Sequence, residues 1–173
     1  DGCEPWANPD AFMTRTSIGA PPDPFAREGQ VWSLPPPHPF ALADSACAPL
    51  RELLAANMRH AGALRIDHVM GLARLFVVPD GAAGADGAYV DYPLAAQLAA
   101  VALESTRARC LVVGEDLGTV PDGLRERLAQ ARILSYRVLW FERAGESFLP
   151  PASWPAQAAA CVSTHDLPTI TGW

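Results

Sequence analysis

The stretch Leu64-Arg65-Ile66-Asp67-His68 guides the interpretation of the whole chain, because a short apolar run ends there in an acid and an imidazole. Two later segments share this pattern: Leu111 to Gly114 followed by Glu115-Asp116, and Ala160 to Thr164 followed by His165-Asp166. If the three segments are neighbouring strands of one parallel sheet, Asp67, Glu115 and Asp166 emerge at the same edge. Gathering carboxylates is unfavourable, because like charges repel and raise one another's pKa. The pattern therefore indicates a site that performs chemistry.

Composition and charge are those of an ordinary globular protein. The chain has 173 residues, 50% of them hydrophobic and 18% charged, with a net charge of −6. The acidic balance argues against a nucleic-acid partner, and neutral or cationic ligands fit it better than polyanions. No apolar run of membrane-spanning length and no signal peptide is found, so a membrane partner is not expected. The first residue is not Met and the last follows a motif directly, so we expect a piece of a longer protein.

The cysteines are scattered and form no CxxC pair: Cys3, Cys47, Cys110 and Cys161. Cys110 and Cys161 lie in or beside apolar segments, where a thiol behaves as a small hydrophobic side chain. This pattern favours reduced core cysteines over disulfides or metal ligands. We therefore expect a cytoplasmic protein.

The first third of the chain shows little periodicity until a helical pattern begins. Residues 1–43 are rich in proline and predict a long, semi-rigid loop. Phe25 and Trp32 in that loop could stack on a sugar or form part of a lid over a ligand. Alternatively, they pack the loop against the domain. Asp44 or Ser45 is the predicted cap of a helix to about His60. Its apolar stripe consists of Leu50, Leu53, Leu54 and Met58.

Strands and helices alternate over the rest of the chain. A strand at Ala63 to Ile66 precedes a long excursion over residues 69–91. Further strands are predicted at Cys110 to Gly114, Ser135 to Phe141 and Ala160 to Thr164, and helices are predicted after Pro93 and around Leu124 and Leu128. Such alternation predicts an α/β fold with a parallel sheet. A (β/α)₈ barrel carries its active site at the carboxyl ends of its strands and needs about 250 residues, so this chain would supply roughly half of one.

The residues themselves suggest roles for the first two acids. Arg65 and Asp67 point to the same side of a strand, and an arginine beside a carboxylate keeps it ionised and orients it, as a nucleophile requires. A structural ion pair is the alternative. The neighbouring Asp116 would raise the pKa of Glu115 if the two carboxylates are close, which is the direction that a general acid requires. Alternatively, one of the two caps the following turn, and Asp116 is the better candidate for that. His165-Asp166 precedes a proline and is also consistent with a helix cap.

Two chemistries are compatible with acids and histidines at one rim. The first is a divalent metal site, for which both residue types are suitable ligands. The second is glycosyl transfer by two carboxylates, one nucleophile and one acid/base. Arg65 argues against the metal, because a cation beside a bound cation is unfavourable. The aromatic, Gln-bearing loop favours a sugar.

Four groups of residues make the sequence resemble the amylomaltases, the 4-α-glucanotransferases of glycoside hydrolase family 77. In chain order they are Gly19-Ala20-Pro21-Pro22-Asp23 with Gly29-Gln30-Val31-Trp32, Leu64-Arg65-Ile66-Asp67-His68, Gly114-Glu115-Asp116-Leu117-Gly118, and Thr164-His165-Asp166. They follow the family's order and spacing over nearly the whole chain. Many members read Thr-His-Asp-Asn-Asp-Thr where this chain has Thr164-His165-Asp166-Leu167-Pro168-Thr169. That departure leaves the acid in place.

The resemblance implies a fold and a set of site residues. Residues 1–173 would be a fragment of a (β/α)₈ catalytic domain, from the loop after the third strand to just past the seventh, with residues 1–43 an active-site loop region. Asp67 would be the nucleophile, Glu115 the acid/base and Asp166 a third carboxylate that binds and distorts the sugar. Arg65 would orient Asp67. The other implied substrate-binding residues are His68, His165, Gln30 and Trp32.

The resemblance also implies an activity. The enzyme would transfer α-1,4-glucan segments between maltodextrins by a retaining double displacement, with maltooligosaccharides or starch-type glucans as substrates. It would need neither a metal nor an organic cofactor. Two alternatives remain open: metal-dependent hydrolysis on the same kind of barrel, and an inactive, truncated sugar-binding relative.

Overall fold

The computed structural model describes residues 3–24, 26–164 and 167–172. The chain divides into two compact units. The first unit comprises Asp1–Ala56 and Met70–Glu104, and the second comprises Asn57–Val69 and Ser105–Trp173. No helix in the described part of the chain combines the length and apolar character needed to cross a membrane.

Helices and short strands alternate along the chain. The helices are α1 (Cys3–Ala7), α2 (Pro39–Asp44), α3 (Ala48–Met58), α4 (Leu94–Ala108) and α5 (Leu124–Gln130). The strands are β1 (Thr16–Ala20), β2 (Gln30–Val31), β3 (Ala63–Ile66), β4 (Arg74–Pro79), β5 (Ala88–Asp91), β6 (Leu111–Gly114), β7 (Ser135–Val138), β8 (Arg143–Ala144), β9 (Ser147–Phe148) and β10 (Ala158–Cys161). Short 3₁₀ turns lie at Pro9–Ala11, Val69–Leu72, Gly84–Asp86, Leu139–Phe141, Pro151–Ser153 and Ile170–Gly172.

The first unit contains a four-stranded antiparallel sheet with the strand order β2-β1-β4-β5. β1 pairs with β4 in the register Ile18 to Val77, and with β2 in the register Gly19 to Val31. A side chain at Gly19 would meet the Gln30 carbonyl oxygen, so glycine permits the close approach of β2. The structure therefore differs from the predicted loop at residues 1–43 and the predicted excursion at 69–91. Both segments supply strands to this sheet.

Helices and sheet of the first unit share one apolar core. Its buried members are Leu42, Leu75, Val77 and Tyr92, and Met13, Ile18, Leu50 and Val90 pack against them. The Tyr92 hydroxyl donates to the Pro37 carbonyl at 2.6 Å, and burial raises the pKa of Tyr92 to about 12. The hydroxyl therefore stays protonated and keeps this hydrogen bond at every ordinary pH.

The single helix predicted from residue 44 to residue 60 is wrong at its start. The chain instead forms α2 and α3, separated by Ala46 and Cys47, whose φ angles of 49° and 56° are left-handed and interrupt the helix. The predicted stripe is confirmed at Leu54 and Met58, which are 4% and 1% exposed. Leu53 is 53% exposed and does not belong to it.

The second unit is built on parallel strands that follow one another in chain order. β3 pairs with β6, β7 pairs with β10, and a bridge between Val113 and Leu134 connects β6 to the start of β7. α5 lies between β6 and β7 in the chain, and its predicted inward residues Leu124 and Leu128 are buried. The α/β fold is confirmed. The described residues form no closed barrel.

One predicted strand is too long, a second is displaced along the chain, and the cysteine prediction is confirmed in part. β7 ends at Val138 in a 3₁₀ turn instead of at Phe141, and β10 comprises Ala158–Cys161 instead of Ala160 to Thr164. Cys47 and Cys110 are buried thiols, as predicted, whereas Cys3 is exposed and Cys161 is half-buried. All four cysteines are free.

Candidate active site

The register of the second unit places several polar side chains on one face of its sheet. Arg65 lies opposite Val113, and Val113 lies opposite Leu134. Because strand residues alternate between faces, Tyr136 shares the face of Arg65, as does Cys161 through its pairing with Val138. Asp67 and Glu115 follow at the carboxyl ends of β3 and β6.

Backbone hydrogen bonds continue past the strand ends and keep the two acids side by side along the sheet edge. The Glu115 amide donates to the Ile66 carbonyl at 2.9 Å, and the Val69 amide donates to the Glu115 carbonyl at 3.0 Å. A Cβ at Gly114 would lie 2.9 Å from Val69 Cγ2, so the residue before Glu115 must be small for this packing. The packing of Val69 against the backbone therefore explains the glycine directly before Glu115.

Asp67 is accessible and held by one arginine. Arg65 Nη1 lies 2.6 Å from Asp67 Oδ1, and the Asp67 side chain is 74% exposed. An ion pair this exposed contributes about 0–1 kcal/mol to stability, so stability alone gives little reason for it. The contact leaves Asp67 open to a reactant while fixing one of its oxygens.

Glu115 is buried, 8% exposed, and both of its carboxylate oxygens accept backbone hydrogen bonds. The His68 amide donates to Oε2 at 2.8 Å, and the Leu117 amide donates to Oε1 at 2.9 Å. His68 has a φ of 45°, a left-handed conformation that non-glycine residues adopt infrequently. The turn after β3 therefore orients the carboxylate of the neighbouring strand.

The Asp116 side chain connects the end of β6 to residues of α5 and β7 through hydrogen bonds. Its carboxylate accepts from Arg125 Nε at 2.9 Å, from the Ser135 hydroxyl at 2.8 Å and from the Tyr136 amide at 2.9 Å. The alternative that one of the two acids caps the following turn is confirmed for Glu115, which accepts the Leu117 amide, and the preference for Asp116 in that position is wrong. Asp116 instead ties the end of β6 to the start of β7.

These partners set the protonation of Asp116. Burial on its own raises the pKa of Asp116, but the hydrogen bonds from Tyr136, Ser135 and Arg125, with the Arg125 charge, outweigh burial and hold the pKa below its ordinary value. The carboxylate is therefore ionised at neutral pH, and its hydrogen bonds depend on that charge.

We expect Asp116→Asn to lower the free energy of unfolding by about 1–3 kcal/mol, because Asn lacks the charge and keeps only one acceptor oxygen for the donors of Arg125, Ser135 and Tyr136. Because the folded pKa lies below the unfolded value of about 4, the contribution is present above that pH and is lost as pH falls through the folded pKa. Urea midpoints of wild type and variant should differ at neutral pH and converge in acid. The exposed Asp122→Asn is the matched control; a gap that persists unchanged in acid would contradict the role of the charge.

The predicted substrate-binding residues fall in different places. Arg65 and His68 lie with Asp67 and Glu115 in the second unit. Gln30 and Trp32 belong to the first unit, where Trp32 Nε1 donates to Gln30 Oε1 at 2.9 Å. His165 and Asp166 lie outside the described residues.

Tyr136 and Cys161 are neighbours of the site that sequence reasoning did not select. The sequence shows by alternation within β7 only that Tyr136 and Val138 share a face. Whether Tyr136 and Cys161 lie on the same face as Arg65 depends on the strand register, which the sequence does not give. In the part of the chain described, no three His, Cys, Asp or Glu side chains are arranged to hold a metal ion. His165 and Asp166, predicted at the same rim, lie outside the described residues.

Comparison with known proteins decides the family. The sequence model described as 4-alpha-glucanotransferase matches residues 1–173. The chain belongs to the 4-alpha-glucanotransferase family. A family member, the 4-alpha-glucanotransferase of Haemophilus influenzae, is 48% identical over 165 residues, covering 95% of this chain and 24% of that protein. The chain spans about a quarter of the length of such curated relatives.

Solved structures of 4-alpha-glucanotransferase relatives have the same fold. The crystal structure of amylomaltase from Corynebacterium glutamicum matches with a TM-score of 0.92 and 39% identity, covering 99% of this chain and 25% of that one. Amylomaltase from Streptococcus agalactiae, in complex with acarbose, matches with a TM-score of 0.86 and 23% identity, covering 100% and 37%. The second comparison bears on the fold alone.

Proposed function

We propose that this chain is the part of a 4-α-glucanotransferase that supplies its nucleophile and its acid/base. The single observation that carries the proposal is the pairing of an accessible carboxylate, Asp67 held by Arg65 at 2.6 Å, with a buried and doubly hydrogen-bonded Glu115 on the next strand. Retaining glycosyl transfer requires one carboxylate that can attack and another that can give and take a proton.

The same proposal places the chain in a (β/α)₈ barrel. Four parallel strands in chain order, with acids after the first two, fit the fourth to the seventh strand of such a barrel. Residues 1–173 are then a fragment of one catalytic domain, and residues 1–43 contribute a region beside its active site. The strands that close the barrel lie in the rest of the whole protein.

The reaction proceeds in two displacements. Glu115 gives its proton to the glycosidic oxygen of the donor while Asp67 attacks the anomeric carbon, so the glycosidic bond breaks and a β-linked glycosyl ester forms. Glu115 then takes the proton of an acceptor 4-hydroxyl, whose oxygen displaces Asp67 and restores an α-1,4 bond. Two inversions give net retention. Arg65 keeps Asp67 oriented throughout.

The substrates we propose are maltooligosaccharides or starch-type glucans. The neutral sugar chain suits an acidic protein, and the curated relatives of the chain are named 4-alpha-glucanotransferase. Asp166, His165, His68, Gln30 and Trp32 would contact the sugar. No cofactor takes part in these steps. We place the enzyme in the cytoplasm, where thiols such as Cys47 and Cys110 remain reduced.

Incubating the whole protein with maltotriose tests the proposal. We expect glucose together with a ladder of longer maltodextrins, because each transfer lengthens one molecule and shortens another. Chromatography of the products is the measurement, with a chelator in a parallel reaction. Glucose and maltose without longer products would show a hydrolase, and loss of activity with the chelator would favour the metal-dependent alternative.

A further inference from the structure

The Arg65 guanidinium has a second partner besides Asp67. Arg65 Cζ lies 5.0 Å from the centre of the Tyr136 ring, within the range of a cation–π contact. Arg65 is thus held between an exposed carboxylate and an aromatic face. An exposed ion pair alone fixes its partners weakly, because water competes for both charges. The ring limits the positions from which Arg65 reaches Asp67.

Tyr136 is itself held at its backbone, and its side chain lies beside Cys161. Its amide donates to the buried Asp116 carboxylate at 2.9 Å. Its side chain hydrogen-bonds Cys161, whose thiol donates to the Arg137 carbonyl at 3.4 Å. The hydrogen bond to Cys161, followed by burial, raises the pKa of Tyr136. The hydroxyl therefore remains protonated, and the ring faces Arg65 as a neutral π surface.

We propose that Tyr136 is a positioning residue for glycosyl transfer, which fixes the Arg65 guanidinium and through it the attacking oxygen of Asp67. This inference rests on the proposed function. Tyr136 touches neither the donor nor the acceptor in this scheme. Its contribution is confined to holding Arg65 in place while Asp67 changes from a free carboxylate to an ester and back.

The ring and the hydroxyl can be separated by substitution. We expect Tyr136→Leu in the whole protein to lower kcat for maltotriose disproportionation roughly tenfold, the factor that a partly desolvated cation–π contact can supply, with KM little changed. Tyr136→Phe keeps the ring and should retain kcat close to wild type. Equal losses in both variants would assign the effect to the hydroxyl and overturn the proposal.

A double-mutant cycle tests whether Tyr136 acts through Arg65. In an Arg65→Ala background, Tyr136→Leu should cause little further loss, because the group it positions is gone. The same tenfold loss in both backgrounds would contradict the proposal. Tyr89→Leu is the matched control, since Tyr89 lies 4.1 Å from Arg74 Cζ in the first unit, and it should leave kcat unchanged.

A readout independent of activity separates this inference from the proposed function. With ¹⁵N-labelled arginine, the Arg65 Nε–Hε resonance, assigned through Arg65→Lys, should be shifted by the ring. That shift should persist in Tyr136→Phe and disappear in Tyr136→Leu. Wild type that shows the shift but makes no maltodextrin ladder would refute the proposed function while supporting the contact. The positioning role would be refuted if Tyr136→Leu left the Arg65 resonance unaffected. It would also be refuted if the wild type were active and Tyr136→Leu had the same kcat.

Discussion

Asp67→Asn should abolish maltodextrin transfer by the whole protein, with a loss in kcat on the order of 10⁴- to 10⁶-fold, as when other enzymes lose a nucleophile. Asn has nearly the same shape but cannot form the glycosyl ester, so the first displacement has no attacking group. Because Asp67 is 74% exposed, its replacement should leave the unfolding midpoint near that of wild type. Maltotriose disproportionation and urea unfolding, measured on the same preparation, check both parts.

Chemical rescue distinguishes a nucleophile from a residue that merely binds substrate. Asp67→Gly leaves space in which azide can attack α-maltotriosyl fluoride directly, expelling fluoride with one inversion. We therefore expect β-maltotriosyl azide, identified by its anomeric coupling in NMR spectra. Asp122→Asn is the control for Asp67→Asn, because it makes the same chemical change at another exposed acid, and it should keep full activity. Recovery of the α-azide from Asp67→Gly, or substantial transfer by Asp67→Asn, would remove Asp67 from the nucleophile role.

Local pattern was sufficient to predict the parallel part of the fold. The apolar runs before Asp67 and Glu115 are strands, and the run before His165 is a strand only as far as Cys161. The helices predicted after Pro93 and around Leu124 and Leu128 are present, and they bury Leu98, Val101, Leu124 and Leu128. Burial in these elements follows a repeat of two or about 3.6 residues, which is visible in any short window of sequence. Long-range information adds little for such elements.

The antiparallel sheet of the first unit could not be predicted in the same way. β1 is five residues long, contains glycine and lies among prolines, and it becomes a strand because β4, more than fifty residues later, pairs with it. β2 has two residues, and both are exposed. The pairing of β1 with β4 joins segments that are distant in the chain, and β2 is too short to show a repeat, so local periodicity records neither strand.

The site shows the same division. The motifs single out Arg65, Asp67 and Glu115, and the structure brings these three together. The sequence does not single out Tyr136, because its approach to Arg65 depends on the register across β3, β6 and β7, which the order of the strands alone does not specify. For a related reason, the sequence does not specify which of Asp116 and Glu115 accepts the Leu117 amide of the following turn. Two adjacent acids look alike in sequence, and only the opposing Ser135 and Arg125 distinguish them.

Glu115→Gln should lower kcat for maltotriose on the order of 10²- to 10⁴-fold, the range of general acid–base contributions. Gln keeps one carbonyl oxygen and can accept from the His68 amide or from the Leu117 amide but not from both, and it cannot deliver a proton to the glycosidic oxygen. Glu126→Gln, on the exposed side of α5, is the control and should retain activity.

The identity of the leaving group decides whether Glu115 is the acid. Fluoride needs no proton to depart, so the first displacement from α-maltotriosyl fluoride should survive in Glu115→Ala far better than that from maltotriose. Azide then needs no base to attack the Asp67 ester, and the product should be α-maltotriosyl azide, opposite in configuration to that of the Asp67 variant. Equal losses on both donors would mean that Glu115 binds the sugar rather than moving the proton. The two azides together assign each carboxylate to its own step, since only a nucleophile and an acid/base in the same site give products of opposite configuration.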